Sequence, residues 1–170
     1  MAAPALSPVA SAAAAPPPPM VPANQSLPAL GGAREDAIDT LARTLWGEAR
    51  FEPVRGIEAV ASVVLNRVAL AAEKGGWWWG DGIVPVCRKP GQFPCWNPDG
   101  AEYPRLLAVK AGEPVFDTCL RVARRAVAGV LPDATHGATH YHPASALPLW
   151  ARGELPTAEI GTNLFYRIVE

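Results

Sequence analysis

The sequence predicts an α+β fold, mainly α, in a single domain. Three observations carry that reading. Apolar residues recur at three- and four-residue spacing in three separate segments. Two short strand-like stretches, "GATHYH" and "NLFYRI", come only after the last of them. The chain is 170 residues long, the length of one domain. Helices first and a small β element last is an α+β order.

The elements follow in chain order. Residues 1–33, "MAAPALSPVASAAAAPPPPMVPANQSLPALGGA", are rich in Ala and Pro and carry no charge before Arg34. Such a segment buries too little apolar surface to offset its ordering entropy, so it is expected to be a disordered tail, with the domain over 34–170. A secretory signal is the competing reading. It lacks a positive n-region, and Pro4 and Pro8 interrupt any apolar core, although "SAAAAP" looks like a cleavage neighbourhood.

Ile38, Leu41, Ala42, Leu45 and Ala49 predict an amphipathic helix from Glu35 to about Ala49. Glu35 and Asp36 suit its first turn, and Pro53 stops it. A second helix is expected from about Gly56 to Ala72, apolar nearly all round and therefore central. The region from Glu73 to about Gly112 reads as irregular, and a loop of that length is usually functional or disordered. Trp77, Trp78, Trp79, Phe93 and Trp96 argue against disorder; the Trp77–Trp79 run suits a lid, a membrane-surface contact or packing. A third helix is expected from about Val115 to Ala128, with Gly129 as its C′ residue. The two strands close the domain, separated by the loop from Pro143 to Pro156.

Composition narrows the function. Half the chain is apolar, enough for a core, and the net charge is -1 with no basic stripe, which argues against nucleic acid. The longest apolar run, Ile57 to Ala72, is broken by Glu58, Asn66 and Arg67, so no integral membrane segment is expected. Cys87 and Cys95 in "CRKPGQFPC" would form a disulfide in an exported protein and stay free thiols in the cytosol. Cys119 reads as a core residue, and the three spacings do not make a zinc ribbon.

One residue sits where a helix prefers a cation. Glu48 falls in the last turn of the first helix, in "LARTLWGEAR". The negative end of the dipole favours the protonated carboxylic acid there, and apolar surface from Trp46 would act in the same direction. That is the form a general acid needs. The plainer reading is a solvated Glu paired with Arg43 or Arg50.

The motifs around Glu48 resemble a known family. "LARTLWGEARFEPVRGIEAVASVVLNRV" (41–68) is similar to the signature of the spore-cortex-lytic, SleB-like cell wall hydrolases. "GQFPCWNP" (91–98) resembles their QF-S-CWN loop, and "GATHYH" with Pro148-Leu149-Trp150, Ile160-Gly161 and Phe165-Tyr166-Arg167 resembles their C-terminal half. Phe51 stands where many members carry Gly, and Asn163 where a His is expected. The resemblance implies a fold like the lysozymes and lytic transglycosylases. It implies cleavage of bacterial peptidoglycan between N-acetylmuramic acid and N-acetylglucosamine, without a cofactor, and Glu48 as the catalytic residue. It also implies work at the cell envelope, in the periplasm or after export, with a phage or particle setting compatible.

A lysozyme-type hydrolase needs a second carboxylate at a defined distance. Glu52, Glu58, Asp81 and Asp99 are available, and none has a singular spacing. A lytic transglycosylase needs one, because the sugar's own 6-hydroxyl closes an anhydro ring; the expectation leans to that scheme. Gln92, Phe93, Trp96, Asn97, Tyr141, His142 and Trp150 are the candidates for sugar contact, through ring stacking and polar tips. For Phe93 a core role is at least as good. Arg50, Asn66 and Arg67 are expected to support the site; an arginine at 67 could pair with Glu48 or Glu52, while the plainer reading of Asn66 and Arg67 is that they cap a buried helix end or reach solvent by snorkelling. A zinc amidase is the alternative. His136, His140 and His142 fall within seven residues, and two of them with Glu48 or Asp133 make a ligand set of weak spacing. A glycan-binding module with a dead site ranks third, since Glu48 is present.

Overall fold

The computed structural model describes residues 27–75 and 79–169. Five α-helices are present among them: α1 Leu27–Ala49, α2 Val54–Glu73, α3 Ile83–Arg88, α4 Tyr103–Ala108 and α5 Pro114–Val127. Three short strands follow, β1 His140–Pro143, β2 Ala158–Ile160 and β3 Asn163–Tyr166, forming an antiparallel sheet in the order β1-β3-β2. The mainly α, α+β expectation is met.

The core explains the helices. Leu41 and Leu45 of α1, Val60 and Val64 of α2, and Phe116 and Val122 of α5 are buried together. Each such side chain contributes about 1.5–3 kcal/mol over exposure. α2 is central, with Ile57, Ala59, Val60, Ala61, Val63 and Val64 all buried. Its far face, Ala59 and Val63, meets Ile160 and Phe165, which docks the sheet onto the helices. α5 is fixed at both ends. The Glu113 carboxylate accepts from the N–H groups of Val115 and Phe116. Past the C-terminus, Gly129 N–H donates to Ala126 O and Val130 N–H to Arg125 O, a Schellman pair.

Three expectations need correction. α1 starts at Leu27, so Glu35 and Asp36 lie inside it rather than in its first turn. The stretch from 73 to 112 is not wholly irregular, because α3, α4 and a 3₁₀ turn at Pro94–Trp96 lie within it. Helices of six residues show under two turns of periodicity; Val86, Cys87 and Leu106 reveal them only by burying against the core. β2 is a third strand that the sequence does not predict, because three residues have no readable period; it exists through its pairing with β3, where Glu159 faces Leu164. Most of the expected tail, and Trp77 and Trp78 of the Trp run, lie outside the described residues.

Candidate functional site

Glu48 opens onto a cleft of about 510 Å³ between the C-terminal turn of α1, the Gln92–Pro94 loop, β1 and the loop after it. Both carboxylate oxygens are held. The Cys95 backbone N–H reaches Oε1 at 3.3 Å, and the Tyr141 phenol donates to Oε2 at 3.2 Å. Each contact has a local cause. Gly47 lets the loop close on α1, since a Cβ there would lie 2.5 Å from the Cys95 Cβ. Tyr141 is fixed by β1–β3 pairing opposite Phe165, on whose ring it stacks at 5.6 Å. Burial first, and then the facing Glu48 carboxylate, push the Tyr141 hydroxyl well above its ordinary range. Tyr141 therefore stays a donor.

The plain pairing of Glu48 with an arginine does not occur. Arg43 bonds Asp39 at 2.8 Å and the carbonyl of Leu106. Arg50 bonds Glu102 at 2.6 Å and the carbonyl of Gly47, so it supplies the cation that the end of α1 wants. Trp46 donates its indole N–H to Glu113 and packs beneath Arg50. It does not line the cleft with Glu48.

Arg67 reaches the cleft from α2 without pairing with Glu48 or Glu52. Its Nε donates to Thr139 O at 2.8 Å and one terminal nitrogen to Gln92 Oε1 at 2.9 Å. Gln92 in turn donates to the Trp79 carbonyl. Burial lowers the affinity of Arg67 for its proton, and Tyr141, Cys87 and Glu48 oppose that effect. The result is a fixed positive charge beside the acid, seated between Phe93 and Trp79.

The sequence candidates separate into two groups. Gln92, Tyr141, His142 and Trp150 line the Glu48 cleft together with Arg67. Phe93, Trp96 and Asn97 line a different cavity on the far side of Pro94. Phe93 is also a core residue, and Trp96 donates its N–H to Thr44 Oγ1 at 2.9 Å. Asn66 lies away from the cleft and ties the Asp133–Ala138 loop to α2 through Asp133 and the Ala138 carbonyl. The segment Ala146-Leu147-Pro148 also lines the cleft. The sequence places it in the loop from Pro143 to Pro156 and singles out Pro148 only through the Pro148-Leu149-Trp150 motif; Ala146 and Leu147 are not among the candidates, and Leu147 is exposed.

The other acids lie elsewhere. Glu52 accepts from the backbone N–H and the hydroxyl of Thr162. Glu58 pairs with Arg125. Asp81 and Asp99 are exposed and do not line the cleft. Glu48 is thus the one carboxylate among the described residues of the lining. His140 and His142 do share a face, both against the Trp150 ring. His142, however, engages both ring nitrogens, with Pro143 O and the Tyr166 hydroxyl. Among the described residues no three His, Cys, Asp or Glu side chains gather as a metal set. The three cysteines are buried free thiols.

Comparison with known proteins fits this geometry. The family model described as Cell Wall Hydrolase matches residues 51–166, starting three residues after Glu48. A spore cortex-lytic enzyme of Halalkalibacterium halodurans is 31% identical over 137 residues, which is 79% of this chain and 36% of that relative. The chain therefore spans about a third of that protein's length. The catalytic domain of the Bacillus cereus SleB protein superposes with a TM-score of 0.60 at 25% identity, over 78% of this chain and 91% of that one. The catalytic domain of the germination-specific lytic transglycosylase SleB from Bacillus anthracis gives 0.59 at 25% identity, over 77% and 93%.

Proposed function

The chain belongs to the cell wall hydrolase family, and from that membership we propose that it cuts peptidoglycan glycan strands between N-acetylmuramic acid and N-acetylglucosamine, by the lytic-transglycosylase route with Glu48 as its one acid/base. The single observation that carries this reading is the cleft lining, which holds one carboxylate gripped by two donors. The Bacillus anthracis domain that shares the fold is described as a lytic transglycosylase, which supports the same route.

The chemistry needs only that group. Protonated Glu48 gives its proton to the glycosidic oxygen. The bond from C1 of the muramyl sugar to that oxygen breaks, and its electron pair leaves with the N-acetylglucosamine hydroxyl. The Glu48 carboxylate then takes the proton of the muramyl 6-hydroxyl, whose oxygen closes onto C1. No water is consumed, and Glu48 returns to its starting form. The Tyr141 hydroxyl and the Cys95 N–H keep the carboxylate in one rotamer, so little reorganisation is required at the moment of transfer. Gln92, Tyr141 and Trp150 supply polar tips and ring faces for the sugars, and His142, with both ring nitrogens engaged, shapes the wall behind them. The place of action is the cell wall, reached by export or from a particle. No described helix is long and apolar enough to cross a membrane.

Mass spectrometry of muropeptides after digestion of purified peptidoglycan tests the reading. Anhydro-muramyl ends are expected. Reducing muramyl ends would replace the route by hydrolysis, and freed stem peptides would replace it by amidase chemistry.

A further inference from the structure

Pro94 is a wall shared by two cavities. One is the Glu48 cleft. The other, of about 460 Å³, is built from Phe93, Trp96 and the prolines around them, with Arg88 and Lys89 at its edge. Trp96 is fixed by its bond to Thr44, and the Arg88 guanidinium lies 4.7 Å from the Trp96 ring centroid. Arg88 is exposed and has no ion-pair partner among the described residues. The cleavage chemistry proposed above uses none of these groups.

Resting on that glycan reading, we propose that this second cavity binds the acidic stem peptide that the glycan strand carries. Two features select that occupant over another sugar. The cationic edge suits carboxylates, which the peptide has and an N-acetylglucosamine unit lacks. The aromatic and proline walls suit an extended peptide with small apolar side chains. Continuity supplies the geometry. The peptide branches from the muramyl sugar, the same sugar whose C1 reacts at Glu48. Cys95 touches Glu48 through its N–H, and the next residue, Trp96, lines the cavity. An extended peptide covers roughly 3.3 Å per residue, so a few residues suffice to pass Pro94. The enzyme then selects strands that still bear peptides, with Arg88 and Lys89 as the specificity determinants.

The experiment compares kcat/KM on peptidoglycan strands bearing stem peptides with the same strands stripped of peptide by an amidase. Wild type is expected to favour the peptide-bearing strands by roughly tenfold, the order that one charge-assisted contact supplies. In the double variant Arg88→Ala, Lys89→Ala the ratio should fall to near one, and Arg88→Lys with Lys89→Arg should restore most of it. An unchanged ratio in the alanine variant, or no preference in wild type, overturns the proposal. If the alanine variant does not fold, wild-type inhibition by free stem peptide decides: competitive inhibition supports the cavity, and none at millimolar peptide overturns it. Stripped strands keep the two readings apart. Wild type that cuts them without preference defeats only the peptide site, whereas wild type that cuts neither substrate defeats the glycan reading as well.

Discussion

The floor of the cleft and the α1–α2 corner beside it each hold one glutamate, and they hold them differently. Glu48 has two single donors and otherwise faces open space. Glu52 is half-buried and tied down. Thr162 binds it through backbone and hydroxyl, and a Cβ at Gly56 or Gly161 would collide with it. Gly161 also takes a φ of +62°, which places the β2–β3 turn against that carboxylate. Glu52 therefore fastens the sheet to the helical corner, while Glu48 keeps an open side toward the cleft, where the proposed mechanism has it exchange a proton. Two acids of one type, four residues apart, differ in what closes around them.

Glu48→Gln keeps the size of the side chain and cannot deliver a proton. Turnover of peptidoglycan should fall by about 10²–10⁴-fold with the melting temperature unchanged or slightly raised. Wild-type turnover in this variant would erase the difference between the two acids. Tyr141→Phe removes the Oε2 donor and keeps the ring stack on Phe165. A hydrogen bond to a charged group contributes about 1.5–3 kcal/mol, so a rate loss of roughly ten- to hundredfold is expected, read as kcat on the same substrate. Gly47→Ala drives a Cβ into Cys95 and should cost about 1–3 kcal/mol in denaturant unfolding, with activity falling as the Cys95 N–H is displaced. Glu52→Gln sharpens the comparison from the other side. It should lose about 1 kcal/mol of stability at the Thr162 contact and keep most of its activity. Glu52→Gln as inactive as Glu48→Gln would make the corner part of the catalytic apparatus.

The three buried thiols make a pH prediction. Burial pushes the thiols of Cys87 and Cys119 up to about 12, and Cys95 rises further through burial and the nearby Glu48. A folded-state value above the unfolded one means the contribution is complete below the unfolded thiol value, near 8.5, and is lost as pH rises toward the folded values. The melting temperature should be flat from pH 6 to 8 and decline above about pH 9. Iodoacetamide at pH 8 should label the unfolded protein and leave the native one nearly untouched. A flat profile to pH 11 would contradict the buried-thiol arrangement.

Much of this was legible in the chain. α2 and α5 announce themselves by long apolar stripes, and Gly129 by its place after one. Glu48 stood out because its position at a helix end opposes the dipole. What sequence did not carry was long-range. The donor on Glu48 Oε2 lies 93 residues away, and Arg50 rather than Glu48 turned out to meet the helix dipole. Trp96 looked like a sugar platform beside the acid, yet its N–H is engaged by Thr44 and its face opens onto the neighbouring cavity. Local pattern reports which residues are apolar or polar; it does not report which loop closes over which helix.

In the proposed mechanism Glu48 works alone, with no water activated by a partner acid. Digestion in water enriched in heavy oxygen tests this directly, with mass spectrometry of the new glycan ends. Anhydro ends that carry no label are expected, because the ring-closing oxygen comes from the sugar. Labelled reducing ends formed in step with cleavage would show that water attacks C1, and would contradict the single-acid mechanism.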